Sequence, residues 1–127
     1  MEKRIIKFRG KTTRENKWIY GGISFFEGYV DMFDENDIVN SCETVHPETV
    51  GQFTGLLDKK GKEIYELDIV GYEDDSSKAI IVWDKKLARF GLKYINSRMN
   101  DVICEISKFH IENCILIGNI YENQELL

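Results

Sequence analysis

The chain has 127 residues, with 17 Lys and Arg against 22 Asp and Glu, one proline and three cysteines. That length excludes a large multidomain enzyme, and a net charge of −5 argues against a purely electrostatic nucleic-acid binder. Sixteen Ile and seven Val stand against eight Leu and two Ala, which excludes a helical bundle, because β-branched side chains lose rotamer freedom in helices and suit a pleated surface. The fold class read from this is mainly β, with α+β as the alternative: a small β-barrel or sandwich with short helical segments.

In chain order, Arg4-Ile5-Ile6-Lys7-Phe8-Arg9 predicts a first strand, with Ile6 and Phe8 on one face and Lys7 and Arg9 on the other. A polar connection leads to a second strand, Trp18-Ile19-Tyr20, closed by Gly21-Gly22. Residues 25–33 are aromatic-rich without a clear period, and a short helix is expected over 34–42 with Asp34 as its N-cap. Pro47 biases His46 to an extended conformation, and a strand follows over 48–56. Asp58-Lys59-Lys60-Gly61-Lys62 predicts a tight turn with Gly61 at positive φ.

Strands are then expected at 63–65 and 68–72, and at 79–83, where unbroken apolar residues suggest burial on both faces. The polar run 73–78 is a hairpin tip. Phe90, Leu92 and Tyr94 alternate with Gly91 and Lys93, 96–101 is a turn, and Val102, Cys104 and Ile106 share a face. A last strand covers 114–117 and ends in Gly118-Asn119. The strand count over 64–120 is that of an SH3-like barrel, an analogy of pattern.

No stretch approaches the roughly 20 apolar residues of a membrane span, and the start lacks the apolar core of a signal peptide. A cytoplasmic location is expected. Cys42, Cys104 and Cys114 have no paired spacing and read as small core hydrophobes.

The run Val50-Gly51-Gln52-Phe53-Thr54-Gly55-Leu56-Leu57-Asp58-Lys59-Lys60-Gly61-Lys62-Glu63-Ile64-Tyr65-Glu66-Leu67-Asp68-Ile69-Val70 resembles the signature of the YopX family, proteins of bacteriophages and prophages. Arg4–Gly10 with Trp18-Ile19-Tyr20-Gly21 looks like the family's opening, and Ile117–Leu127 like its closing motif. Leu67 stands where the family usually has glycine, and Gln124 where it usually has proline. The resemblance implies one domain over 1–127, with an N-terminal β subregion of about 1–56 and a C-terminal barrel-like subregion of about 57–127. It implies a phage accessory protein in the bacterial host cell, forming homo-oligomers, in a larger assembly built from trimers. It brings no catalytic residues and no cofactor.

The residues themselves point the same way. Gly55 and Gly61-Lys62 lack the spacing and the following Ser or Thr of a phosphate loop. Asp31, Asp34, Glu35 and Asp37 do not fit a calcium loop, whose third and sixth positions would be Phe33 and Asn36. His110 and Cys114 have helical zinc-ligand spacing, but the segment reads equally as strand and turn, and only His46, Cys42 and Cys104 remain to complete four ligands. No nucleophile-elbow motif occurs. Catalytic, cofactor and metal residues are therefore expected to be absent, and the protein is expected not to be an enzyme.

Charge position is more informative. Residues 1–18 carry seven basic and two acidic groups, a balance of +5, and the rest carries ten basic and twenty acidic, a balance of −10. The candidate interaction residues are Lys3, Arg4, Lys7, Arg9 and Lys11 with Trp18 and Tyr20, joined along the chain by Arg14 and Lys17. The plainest reading is the solvated face of an ordinary first strand and loop, because charged residues are usually exposed. Beyond it, one reading is a basic edge meeting an acidic surface of its own chain or another copy. A second is a nucleic-acid module with Trp18 and Tyr20 as stacking platforms. A third gives the acidic majority a host-protein partner, as a mimic of DNA charge.

Overall fold

The computed structural model describes residues 3–37, 39, 42–96, 98 and 101–127. Among them are eleven strands, one α-helix and two 3-10 turns, so the protein is mainly β. The chain divides into two compact units, Met1–Phe53 and Thr54–Leu127.

Unit one holds β1 (Phe8–Lys11), β2 (Trp18–Phe26), β3 (Tyr29–Asp34), β4 (Cys42–Val45), a 3-10 turn (Pro47–Thr49) and the start of β5 (Gly51–Leu57). The strands lie in the order β4-β3-β2-β1-β5, and their pairings are antiparallel. Ile19, Val30, Met32 and Val45 form the core, with Phe8, Ile23 and Val50 packed against it. Gly10 lies opposite Ile19 on this face. A Cβ there would meet the Met32 sulfur at 2.8 Å, so only glycine lets β1 approach so closely.

The first strand starts later than expected. Residues 3–7 lie outside any strand, and Ile5 and Ile6 are exposed. The expected alternation holds, with Phe8 on the core face and Arg9 on the other, yet Arg9 is buried there, at 5% exposure. Arg9 lies opposite Tyr20, and its guanidinium sits over the Trp18 ring at 4.7 Å. Cation–π contact and an aliphatic stem make this a favourable place for arginine.

The helix expected over 34–42 is absent from the part described. Asp34 closes β3, its Oδ1 accepts the Asn36 N–H at 3.0 Å to make a turn, and Cys42 opens β4. Residues 38, 40 and 41 lie outside the described residues, as do 97, 99 and 100 of the turn expected at 96–101. Residues 25–33, without period in the sequence, form the end of a β2–β3 hairpin. His46 is extended before Pro47, as expected.

Unit two holds the end of β5, β6 (Glu63–Tyr65), β7 (Asp68–Gly71), β8 (Lys78–Asp84), β9 (Arg89–Tyr94), β10 (Cys104–Glu105), α1 (Lys108–Asn113), β11 (Ile115–Asn119) and a second 3-10 turn (Gln124–Leu126). β6 neighbours β5, and the other strands form an antiparallel sheet in the order β10-β9-β8-β7-β11. This sheet is open and does not close into a barrel. Its core is Ile64, Val70, Ala79, Ile81, Leu92 and Cys114. The turn at 58–62 forms as expected, with Gly61 at φ 84°.

β8 is not buried on both faces. Ala79 and Ile81 are buried, Ile80 and Val82 half-buried, and Trp83 is 45% exposed. The segment around His110, which reads as helix or as strand and turn, is helix over Lys108–Asn113. A polar stripe of Lys108, Glu112 and Asn113 with one His inside the turn suits a short helix lying on the sheet, and Lys108 and Glu112 pair along it at 3.7 Å.

Candidate functional site

The basic N-terminal residues do not form one free surface. Lys3 and Arg4 are exposed and precede β1. Lys7 reaches Glu35 at 3.1 Å and lies over the Phe53 ring at 5.6 Å. Arg9 and Lys11 both lie over Trp18, at 4.7 and 5.5 Å. The register explains the cluster. Arg9 faces Tyr20, and Lys11 faces Trp18 across the β1–β2 ladder, on the side away from the core. Thus Trp18 and Tyr20, read as platforms for bases, stand beside the chain's own cations. Lys17 pairs with Glu15 at 3.5 Å.

The largest exposed aromatic group lies in the β2–β3 hairpin, where the sequence showed composition without period. Phe25 is 70% exposed, Phe26 49%, Tyr29 46% and Phe33 46%. Register assigns their faces. Ile23 opposes buried Met32 and Phe25 opposes buried Val30, so these define the core side. Phe26 opposes Tyr29 and Phe33 opposes Gly22, on the other side. Phe26 and Tyr29 stack at 4.8 Å with 12° between their planes. Asp31 sits between Tyr29 and Phe33 along β3, and its Oδ1 accepts the Thr44 hydroxyl at 2.7 Å. Three half-exposed aromatics on one face amount to about 300 Å² of exposed surface, the lower end of the largest apolar patch a monomer ordinarily shows.

In unit two, α1 lies over a polar cluster. His110 Nδ1 accepts the Ser107 N–H at 3.0 Å and stands 2.8 Å from the Ser107 hydroxyl. The neutral ring therefore carries its proton on Nε2, which donates to Tyr94 Oη at 3.0 Å. Tyr94 shares a hydrogen bond with Tyr72. Burial lowers the His110 pKa. Burial first, then Tyr94, pushes the Tyr72 phenol up to about 12, and burial raises Tyr94. The Cys114 thiol is raised by burial and by the Asp58 carboxylate. The void these side chains border has an accessible volume of about 10 Å³, room for one water. The raised thiol and phenols stay neutral and hydrogen-bonded around a void that holds no more than one water. Among the described residues no group of three His, Cys, Asp or Glu could hold a metal ion.

Asp58, read from sequence only as a turn residue, is a buried hub. Its Oδ1 accepts the N–H groups of Lys60 at 2.8 Å and Lys62 at 2.9 Å, and its Oδ2 accepts that of Leu116 at 2.8 Å. Burial pushes its pKa up, but these three bonds outweigh that and hold it below the usual carboxylate value. Asp at the start of a turn was the available signal. Its reach to β11 had none.

No helix among the described residues is long and apolar enough to cross a membrane. No curated protein matches the chain. Its fold is similar to the crystal structure of protein EF1440 from Enterococcus faecalis, with a TM-score of 0.61 and 24% identity over 98% of this chain and 99% of that one. The model of the family described as YopX protein matches residues 7–127, nearly the whole length, and includes the Asp58 turn and the β6–β7 turn that the signature run predicted. The chain belongs to the YopX family.

Proposed function

We propose that this is a non-enzymatic phage or prophage accessory protein that works as a homo-oligomer in the bacterial cytoplasm. The observation that carries the reading is the aromatic end of the β2–β3 hairpin. Phe26, Tyr29 and Phe33 share one face, half exposed, and a second copy of the chain would cover them. The +5 N-terminal segment contributes less than its charge suggests, because Lys7 and Lys17 pair within unit one and Arg9 is buried. Self-association through the hairpin is therefore apolar in character and resists salt. A trimer-based larger assembly, as the family resemblance implies, needs such a contact plus at least one other. The test is solution mass by light scattering for the protein and for Phe26→Ser/Phe33→Ser. A lower mass for the variant with an unchanged fold supports the reading, and a monomeric parent protein refutes it.

A second reading, a nucleic-acid module, keeps Lys3 and Arg4 as exposed cations. It predicts salt-sensitive retention on single-stranded DNA that is lost in Lys3→Glu/Arg4→Glu. No binding at low salt would refute it.

A further inference from the structure

Unit two carries opposite charge at the two ends of a single strand. β8 runs from Lys78 to Asp84. The loop before it exposes Glu73, Asp74 and Asp75, and the loop after it exposes Lys85, Lys86 and Leu87. β8 pairs antiparallel with β7 on one side and β9 on the other, so these loops lie at its opposite ends. Seven residues at about 3.3 Å each separate them by roughly 20 Å.

Each end also offers an open cleft with an exposed aromatic. At the acidic end a cleft of about 320 Å³ is bordered by Tyr72, Glu73, Asp74 and Phe109, and Phe109 is 61% exposed. At the basic end a cleft of about 340 Å³ is bordered by Trp83, Lys85, Lys86 and Ile103. Trp83 meets Phe90 edge to face at 5.0 Å and leaves much of its own ring exposed.

Opposite charges stand at both ends, but among the described residues side-chain ion pairs form only at the acidic one. Lys59 pairs with Glu73 at 3.3 Å and Lys78 pairs with Asp75, while Asp74 bonds only within its own turn, to the Ser76 N–H at 2.9 Å. At the other end Asp84 Oδ1 accepts the Lys86 N–H at 3.1 Å, and Asp101 borders the cleft. The ammonium groups of Lys85 and Lys86 form no ion pair among the described residues.

We infer that copies associate head to tail, the Trp83–Lys85–Lys86 end of one seated on the Phe109–Glu73–Asp74 end of the next. This rests on the self-association reading and adds a second contact to it. The hairpin patch falls well short of the roughly 800 Å² per partner of a stable interface. Complementary charge fixes register and rejects the wrong pairing of like ends. A contact between two different faces is heterologous, so it repeats until it closes a ring or extends as a filament.

Charge exchange tests it. Solution mass is measured for the parent protein, for Lys85→Glu/Lys86→Glu, for Glu73→Lys/Asp74→Lys, for an equimolar mixture of the two, and for the chain carrying all four substitutions. Thermal midpoints check that each is folded. The expected result is a lower mass for each double variant alone, and restoration both in the mixture and in the fourfold variant. Raised salt should bring the parent down to the double variants' mass. Double variants that keep the parent's mass, or a loss that neither mixture nor fourfold exchange restores, would overturn the head-to-tail contact and leave self-association through the hairpin standing. A parent protein that is monomeric throughout would end both. Loss of binding to a labelled single-stranded oligonucleotide in Lys85→Glu/Lys86→Glu, with mass unchanged, would also overturn it and assign the basic end to nucleic acid.

Discussion

His110 Nδ1 accepts the backbone N–H of Ser107 at 3.0 Å, in the position where a helix start ordinarily uses Glu or Gln. A carboxylate or amide keeps its acceptor over the working pH range. An imidazole does not, because protonation puts a second donor opposite the Ser107 N–H. Tyr94 faces the ring from β9 and Tyr72 from just after β7, and Lys78 and Cys114 border the same void. None of these carries a negative charge that would pair with an imidazolium.

Burial lowers the His110 pKa below its usual 6.5. The unfolded chain therefore takes up this proton first as pH falls. The contribution is complete above about pH 6.5 and is lost as pH drops through the folded value. The expected loss is about 1 kcal/mol, the scale of a helix cap. His110→Gln keeps the acceptor and should flatten the stability profile between pH 7 and 5. Denaturant titrations across that range check it, and parallel slopes for the two proteins would contradict the role assigned to His110.

Asp58 gives a second acid transition at lower pH. Its carboxyl lies below the ordinary 3.8, so its contribution is present above that value and is lost as pH falls through the folded one. Asp58→Ala leaves three backbone N–H groups without their acceptor and should cost about 2–4 kcal/mol. Equilibrium unfolding at pH 7 measures this. A cost under about 0.5 kcal/mol, the range of an ordinary surface substitution, would show that the hub contributes little.

Leu67 has φ 70°, a left-handed conformation that ordinary residues avoid. Its own N–H donates to Ile81 O at 2.7 Å and its carbonyl accepts the Ile120 N–H at 3.1 Å, so bonds on both sides hold it there. The β6–β7 turn stays tight although glycine is missing. Leu67→Gly should stabilise by up to about 1 kcal/mol, and Leu67→Val, β-branched, should destabilise by about 1–2 kcal/mol. Thermal midpoints decide it: a fall for Leu67→Gly would mean the side chain's packing outweighs the backbone strain.

The strands were legible where alternation and turn chemistry agreed, as in 58–72 with its Asp-Lys-Lys-Gly turn. They were misread where one signal stood for another. Charge was taken to mean solvent at Arg9, but Trp18 offers that guanidinium a buried place. Unbroken hydrophobicity was taken to mean two buried faces at 79–83, but Trp83 lies at the end of the strand, past the buried row. Helix α1 has six residues, too few for period to show. The aromatics of residues 25–33 were visible as composition, but their shared face depends on the β2–β3 register, which no local pattern fixed.

The hairpin face should tolerate substitution without loss of fold, because Phe26 and Phe33 lie outside the core. At a concentration where the parent is dissociated, Phe26→Ser/Phe33→Ser should change the unfolding free energy by less than about 1 kcal/mol, the scale of surface substitutions. A large loss of stability would make these residues part of the folded unit and not an interface.

Self-association is the central claim, and solution mass measures it most directly. Light scattering on the eluting protein, at rising concentration and at two salt strengths, should give a mass that is a multiple of the 14.8 kDa chain. That mass should fall in Phe26→Ser/Phe33→Ser. A single species of 14.8 kDa at every concentration and salt would contradict the account.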